Sequence, residues 1–144
     1  MMKIKKILYL SLLLFIVGCE EKKEAKITIN PKLSLPIECM RLDIMDRDEE
    51  LLDTIRELYK FDDKCDLTLT ISYKKDIVCT SPGSISARAS GKFPKSFLDM
   101  KLRRGMEIEY RYYIDLYSNV DSSDVEEGFS RLQRDLIELK GSKK

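Results

Sequence analysis

Regular alternation of apolar and polar residues constrains the fold of this 144-residue chain more than any other feature. The alternation runs through four segments, which are Asp66–Tyr73, Ser84–Ser90, Ser96–Arg104 and Met106–Tyr117. A period of two is typical of β-strands that bury one face and expose the other. The sequence therefore predicts four strands of a sheet that packs on one side only.

Two other segments place apolar residues at helical spacing. Arg47–Lys60 carries one apolar stripe and Ser123–Leu139 carries another. Asp46 and Ser123 each precede a glutamate by three residues, which is the pattern of a capping box at a helix start. We expect a helix over each segment.

These elements predict one α+β domain. A further strand over Cys39–Met45 gives the order β-α-β-β-β-β-α, with turns at Ser81–Ser84 and Arg104-Gly105. A sheet with one apolar face and two amphipathic helices can bury one another. We expect a two-layer sandwich in which both helices lie on one face of a mostly antiparallel sheet of four or five strands.

Two resemblances bear on the fold. The stretch LRRGMEIEYRYYIDL resembles the E-to-F corner of immunoglobulin-like domains, although Ile108 stands in place of the corner tyrosine and Arg104 in place of the common proline. An immunoglobulin-like β-sandwich is therefore the alternative fold. The predicted order of elements is also similar to that of the lipopolysaccharide-assembly lipoprotein LptE, a likeness of topology and length.

The first 19 residues resemble the signal peptide of a bacterial lipoprotein. A lysine-rich start precedes the apolar run Ile7–Val17, which is too short to span a bilayer, and Ile16–Cys19 then matches a lipobox. The resemblance implies cleavage after Gly18 and acylation of Cys19. An ordinary secretory signal that happens to precede Cys19 is the alternative.

The lipoprotein interpretation divides the chain into a signal peptide (1–18), the lipidated Cys19 with a short charged tether (19–26) and a folded domain (27–144). Loss of three signal lysines leaves 23 basic against 25 acidic residues, a net charge of −2. Such a balance argues against a nucleic-acid partner. We expect an exported protein anchored in a bacterial membrane, on the periplasmic side of the outer membrane.

Residues for catalysis are scarce. The chain has no histidine, which excludes Ser-His-Asp and Cys-His catalysis, and it has no glycine-rich phosphate loop. Glu107 and Glu109 form a carboxylate pair on one strand, a pattern that solvated strands carry routinely. We predict no enzymatic activity, no cofactor and no metal site.

Three cysteines remain in the folded domain. If the strand near Cys39 and the strand after Cys65 are joined by a helix, both cysteines lie at one end of the sheet, which favours a Cys39–Cys65 disulfide. Cys79 would then be a free thiol, and Cys65–Cys79 is the alternative pairing.

These features predict a lipid-anchored protein that binds or scaffolds an envelope protein partner at the membrane. A carrier of a lipid or small apolar ligand and a surface lipoprotein that contacts a host or phage are the alternatives. The carrier hypothesis predicts an apolar cavity between the helices and the sheet, whereas the scaffold hypothesis predicts a filled core. The candidate partner-binding residues are Arg88, Glu107, Glu109, Arg111, Tyr113 and Tyr117.

Overall fold

The computed structural model describes residues 24–45, 48–78, 80–91 and 93–142. Within these ranges the chain forms an α+β domain of five strands and three helices. Their order is β1 (Lys26–Ile29), β2 (Arg41–Ile44), α1 (Glu49–Leu58), β3 (Leu67–Lys74), α2 (Pro82–Ala89), β4 (Ser96–Arg104), β5 (Glu107–Leu116) and α3 (Ser122–Ser142).

The strands form one sheet in the order β1-β5-β4-β3-β2. β2 runs parallel to β3, and the other neighbouring pairs are antiparallel. Parallel neighbours need a crossover connection, and α1 provides it between β2 and β3. The α+β class and the mainly antiparallel sheet are as predicted.

One hydrophobic core joins the sheet to α1 and α3. Leu69, Leu98 and Tyr110 from the sheet are fully buried against Ile55 of α1 and Phe129 of α3. This arrangement is the predicted two-layer packing, with both helices in the same core.

Gly128 marks the closest approach of α3 to the sheet. A Cβ atom at this position would lie 3.0 Å from a ring carbon of Tyr112 and 3.1 Å from the terminal methyl of Met100. A glycine inside a helix costs about 1 kcal/mol relative to alanine. At Gly128 the absence of a side chain allows α3 to approach the sheet closely.

Aspartates cap the two longer helices, at positions other than those predicted. The Asp48 carboxylate accepts a hydrogen bond from the Leu51 N–H, and Asp46 and Arg47 lie outside the described residues. Asp121 accepts from the Ser123 and Asp124 N–H groups, at 2.9 and 3.2 Å, so α3 starts before the predicted Ser123 cap.

Ser84–Ala89 lies within α2 and Ser90 is its C-cap, so the prediction of Ser84–Ser90 as a strand is wrong. Ser81 caps this helix by accepting a hydrogen bond from the Ser84 N–H at 3.3 Å, and Pro82 occupies the first turn, where no N–H donor is needed. The expected turn at Ser81–Ser84 is thus a helix start. The alternating apolar residues do not form a buried row, since Ile85 is 58% exposed.

Two features of β5 depart from the sequence prediction. Its middle residues, Tyr110 to Tyr113, pair with β1, a strand that the sequence pattern does not predict and that begins at Lys26, the final residue of the predicted tether. Near the start of β5, a register shift between Leu102 and Arg103 of β4 displaces Ile108 from the buried series. Ile108 is 41% exposed as a result, although its alternation predicts burial.

Cys39 and Cys65 form a disulfide, with their Cα atoms 5.9 Å apart. Cys39 lies just before β2 and Cys65 just before β3, and because these strands are parallel the two cysteines share one end of the sheet. The predicted pairing is confirmed. Cys79 lies outside the described residues.

Candidate functional site

The face of the sheet opposite the core, here called the open face, carries mostly polar and charged side chains. Register places on it the residues that alternate with the buried series of each strand. Its bases outnumber its acids by six to four. The bases are Lys26, Arg41, Lys74, Lys101, Arg103 and Arg111, and the acids are Asp43, Asp99, Glu109 and Asp115.

Asp99 lies at the centre of the open face and is 5% exposed. Arg111 donates two hydrogen bonds to its carboxylate, from Nε at 2.8 Å and from Nη2 at 2.9 Å, and the Lys101 Nζ lies 2.8 Å away. Burial alone would raise the pKa of Asp99, but these two cations outweigh it and hold the pKa below its usual value. Asp99 is therefore a fixed anion whose charge is satisfied internally.

Tyr113 is held beside this ion pair. Its ring stacks on Phe97 with centroids 5.8 Å apart, and its hydroxyl donates to Asp115 at 2.7 Å. Lys26 and Arg111 lie 5.8 and 5.4 Å from the ring centre. Burial, followed by the Asp115 hydrogen bond, raises the pKa of Tyr113 to about 12. The open face thus presents an aromatic pair among cations.

Glu109 is buried where β5 meets the end of β1. Arg104 lies 3.4 Å from its carboxylate, and the Asn30 amide donates to Glu109 at 3.1 Å and to Glu107 at 3.0 Å. The pair of glutamates is thereby tied into the sheet edge. Glu107 is exposed, but Glu109 is buried, although the sequence predicts a solvated position for it.

Arg41, Thr68 and Arg103, here called the arginine row, lie side by side on β2, β3 and β4. Arg41 donates a hydrogen bond to the Thr68 hydroxyl at 2.9 Å, and Arg103 lies 3.9 Å from the Met106 sulfur. The Arg103 Nε is buried, and none of the described residues gives it a hydrogen-bond partner. In the described part of the chain, neither arginine forms an ion pair with a carboxylate.

Two of the predicted partner-binding residues lie away from the open-face network. Arg88 projects from α2, where it donates to the Ile77 carbonyl and lies 5.5 Å from the Phe93 ring centre. Tyr117 lines the same small groove at the end of the sheet and is 46% exposed. The structure therefore separates this pair from Arg111 and Tyr113. The lipidation candidate Cys19 lies outside the described residues.

A second feature is a groove of about 700 Å³ between β2 and α1, here called the edge groove. Leu42 and Ile44 from the strand and Leu52, Tyr59 and Phe61 from the α1 side supply its apolar lining. Its charged lining residues are Asp43, Asp48, Glu49, Arg56, Lys60 and Asp63, so acids exceed bases by four to two.

The backbone of β2 borders the edge groove. β2 is the last strand of the sheet on this side, and the Met45 N–H donates to the Ile71 carbonyl of β3 at 3.2 Å. Because backbone groups alternate in direction along a strand, Leu42 and Ile44 direct their N–H and C=O groups away from β3. Such groups are a template for pairing with another extended chain.

Sequence reasoning misses both the arginine row and the edge groove. The sequence predicts a turn at Arg104-Gly105 and no role for Arg103, whereas the structure places both arginines at the end of β4 and pairs Arg104 with Glu109. The edge groove depends on the long-range placement of β2 beside β3. No local sequence pattern reports such a placement.

Comparison with known proteins adds no assignment to this geometry. No protein-family model, curated protein or solved structure matches the chain. Within the described ranges, no group of three or more acidic or cysteine side chains is placed to hold a metal ion. No helix in those ranges is both long enough and apolar enough to cross a bilayer.

Proposed function

We propose that this chain is a lipid-anchored, non-catalytic envelope protein that binds a protein partner at the membrane. The observation that carries the proposal is the edge groove, in which the outer edge of β2 borders a trough lined by five apolar and six charged residues. The lipobox-like Ile16–Cys19 supplies the membrane anchor in this proposal.

The edge groove suits an extended segment of the partner. Leu42 and Ile44 offer backbone donors and acceptors along the edge, while their side chains line the trough together with Leu52. An added strand would pair with this edge and place alternate side chains in the trough. β2 has four residues, so the paired segment is short and affinity depends on the trough as well as on the backbone.

Charge defines the expected segment further. The acidic excess around the edge groove favours lysine or arginine beside the alternating apolar residues of the partner. Asp48 is already paired with Lys75 at 2.7 Å, which leaves three exposed acids in the groove lining, and two of them, Glu49 and Asp63, lie on its α1 side. These two residues are the natural targets for charge reversal.

Packing between the layers supports a scaffold over a ligand carrier. A carrier needs space between helices and sheet, but at Gly128 the Tyr112 and Met100 side chains lie 3.0 and 3.1 Å from the position of a Cβ atom. An apolar groove of about 350 Å³ does exist outside the layers, between Leu35–Ile37 and the end of α3. That groove is open at the surface and does not separate the layers.

Site-specific photocrosslinking in intact cells tests the proposal. A benzoylphenylalanine at Asp63 lies in the edge groove, and the same group at the exposed Asp66 lies outside it. We expect position 63, and not position 66, to capture one defined segment with alternating apolar residues and nearby lysine or arginine. Capture should depend on Cys19, because the anchor brings the groove to its partner.

Charge-reversal variants supply the control. With the crosslinker moved to Lys60, which also lines the groove, Glu49→Lys with Asp63→Lys should reduce capture about fivefold, since two rim charges then repel a basic segment. Glu57→Lys with Asp66→Lys makes the same change in net charge outside the groove and should leave capture intact. Equal capture by both crosslinker positions, or equal losses in both double variants, would contradict the edge-groove proposal.

A further inference from the structure

We propose that the open face docks on the anionic headgroup surface of the bilayer that holds the lipid anchor. The occupant of the open face is thus phospholipid, and the edge groove stays available to protein. This inference rests on the proposed lipid anchor and assigns Arg111 and Tyr113, residues predicted to bind a partner, to the membrane.

Charge is distributed unevenly between the two layers. α1 and α3 together carry nine acidic and four basic residues, a net charge of −5. The open face has a net charge of +2. An anionic surface therefore attracts the sheet side of the domain and repels the helix side, which orients the molecule.

The arginine row is the part of the open face most suited to phosphate. Asp99 and Glu109 are neutralised by Arg111, Lys101 and Arg104, so the face has little free negative charge at its centre. Arg41 and Arg103 keep their positive charge without a carboxylate partner in the described ranges. An arginine side chain can donate two parallel hydrogen bonds to phosphate oxygens. The Thr68 hydroxyl lies between Arg41 and Arg103 and offers a further donor.

The anchor has the reach for this orientation. Lys26 lies on β1 at one edge of the open face, and the chain from Cys19 to Lys26 spans at most about 25 Å. Five strands cover about 19 Å from β1 to β2 at the usual strand spacing. The whole open face, including Arg41 on β2, can therefore lie flat on the bilayer. Tyr113 and Phe97 suit headgroup depth, where aromatic rings are enriched.

A single introduced tryptophan reports docking, because the natural chain has none. The full lipidated protein is placed in vesicles of phosphatidylcholine with or without phosphatidylglycerol, each containing brominated lipid as a fluorescence quencher. Phe97→Trp puts the reporter on the open face, and Ile137→Trp puts it on α3, where Ile137 is 71% exposed. We expect quenching of the open-face reporter only in the anionic vesicles and little quenching of the α3 reporter in either.

Paired glutamine variants test the arginine row. Arg41→Gln with Arg103→Gln, in the Phe97→Trp background, should lower the docking equilibrium constant about 30-fold, since each cation near an anionic surface contributes about fivefold. Arg134→Gln with Lys140→Gln removes the same charge from the helix layer and should leave quenching unchanged. Equal effects of the two pairs, or equal quenching of the open-face reporter in neutral vesicles, would overturn the proposal.

The mass of the intact protein separates this inference from the proposed anchor. A mass that includes acyl chains on Cys19 establishes the anchor independently of docking. If the mass shows no lipid, the anchor proposal fails, and docking is then measured by flotation of the same protein with anionic vesicles. Flotation that is lost in the Arg41 and Arg103 variant would still support the open face as the lipid-binding surface, and absence of flotation would refute it.

Discussion

At the scale of single residues, Asp99 gives the open face its pH dependence. Burial opposes its ionisation, but Arg111 and Lys101 together hold its folded-state pKa below the usual value. Because the folded-state pKa is lower than the unfolded-state pKa near 3.8, ionised Asp99 stabilises the fold when the pH is above the unfolded-state pKa. This contribution is lost as the pH falls through the folded-state pKa. The fold should therefore lose stability in acid below about pH 4 through this group.

Asp99→Asn tests this dependence. The variant should lose about 2 kcal/mol of unfolding free energy at pH 6, because charge-assisted hydrogen bonds to Arg111 are weakened. Between about pH 4 and pH 2 its stability should fall less steeply than that of the natural protein. Urea unfolding across this range measures both effects. Asp43→Asn, at an exposed acid of the same face, is the control and should change little.

Tyr110 carries a second buried polar contact, on the core side of the sheet. Its hydroxyl donates to Asp135 at 2.8 Å, and Arg131 bonds the same carboxylate at 2.8 Å. Tyr110→Phe should cost about 1 to 2 kcal/mol, because the buried Asp135 loses a donor. Urea unfolding measures the loss, and Tyr117→Phe, at an exposed tyrosine, serves as the comparison. Equal stability of the two variants would show that the contact contributes nothing.

At the scale of elements, the sequence predicts those whose local pattern agrees with their environment. β4 has the bounds that its alternation predicts, since every second residue faces one continuous core. The two longer helices lie where they are predicted for the same reason. The Cys39–Cys65 disulfide follows from topology, because a strand, a helix and a second strand return the chain to the same end of the sheet.

The elements that sequence reasoning misses have weak or conflicting local signals. α2 alternates like a strand, yet Ser81 and Pro82 form a helix start that decides its structure. β1 has four residues and acquires its strand pairing from β5, far away in sequence. The register shift at Leu102 is likewise a property of two strands together. The edge groove and the arginine row bring together residues from separate elements, and local pattern does not report them for this reason.

The packing of α3 on the sheet makes Gly128 sensitive to size. Gly128→Leu should destabilise the fold by about 2 to 3 kcal/mol, because the added side chain must displace Tyr112 and Met100 from a filled core. Thermal unfolding followed by circular dichroism measures the loss. Gly83→Leu in α2 has open space around its Cβ position and should be close to neutral. Comparable losses in both variants would contradict the close packing of α3.

At the scale of the whole molecule, the disulfide limits how far the unfolded chain can expand. Cys39 and Cys65 are 26 residues apart, and the enclosed loop contains β2 and α1. Constraining a loop of this length stabilises a fold by about 3.5 kcal/mol in the chain-entropy account. The bond therefore supports both the parallel strand pair and the edge groove that depends on it.

Cys39→Ser with Cys65→Ser should lower the urea midpoint and also increase the dependence of unfolding free energy on urea. The second effect arises because an unfolded chain without the cross-link exposes more surface. Comparison with the natural protein before and after reduction separates the loss of the bond from the effect of the serine side chains. A lower midpoint with an unchanged urea dependence would show that the disulfide acts on the folded domain, by holding β2 against β3, and not on the unfolded chain.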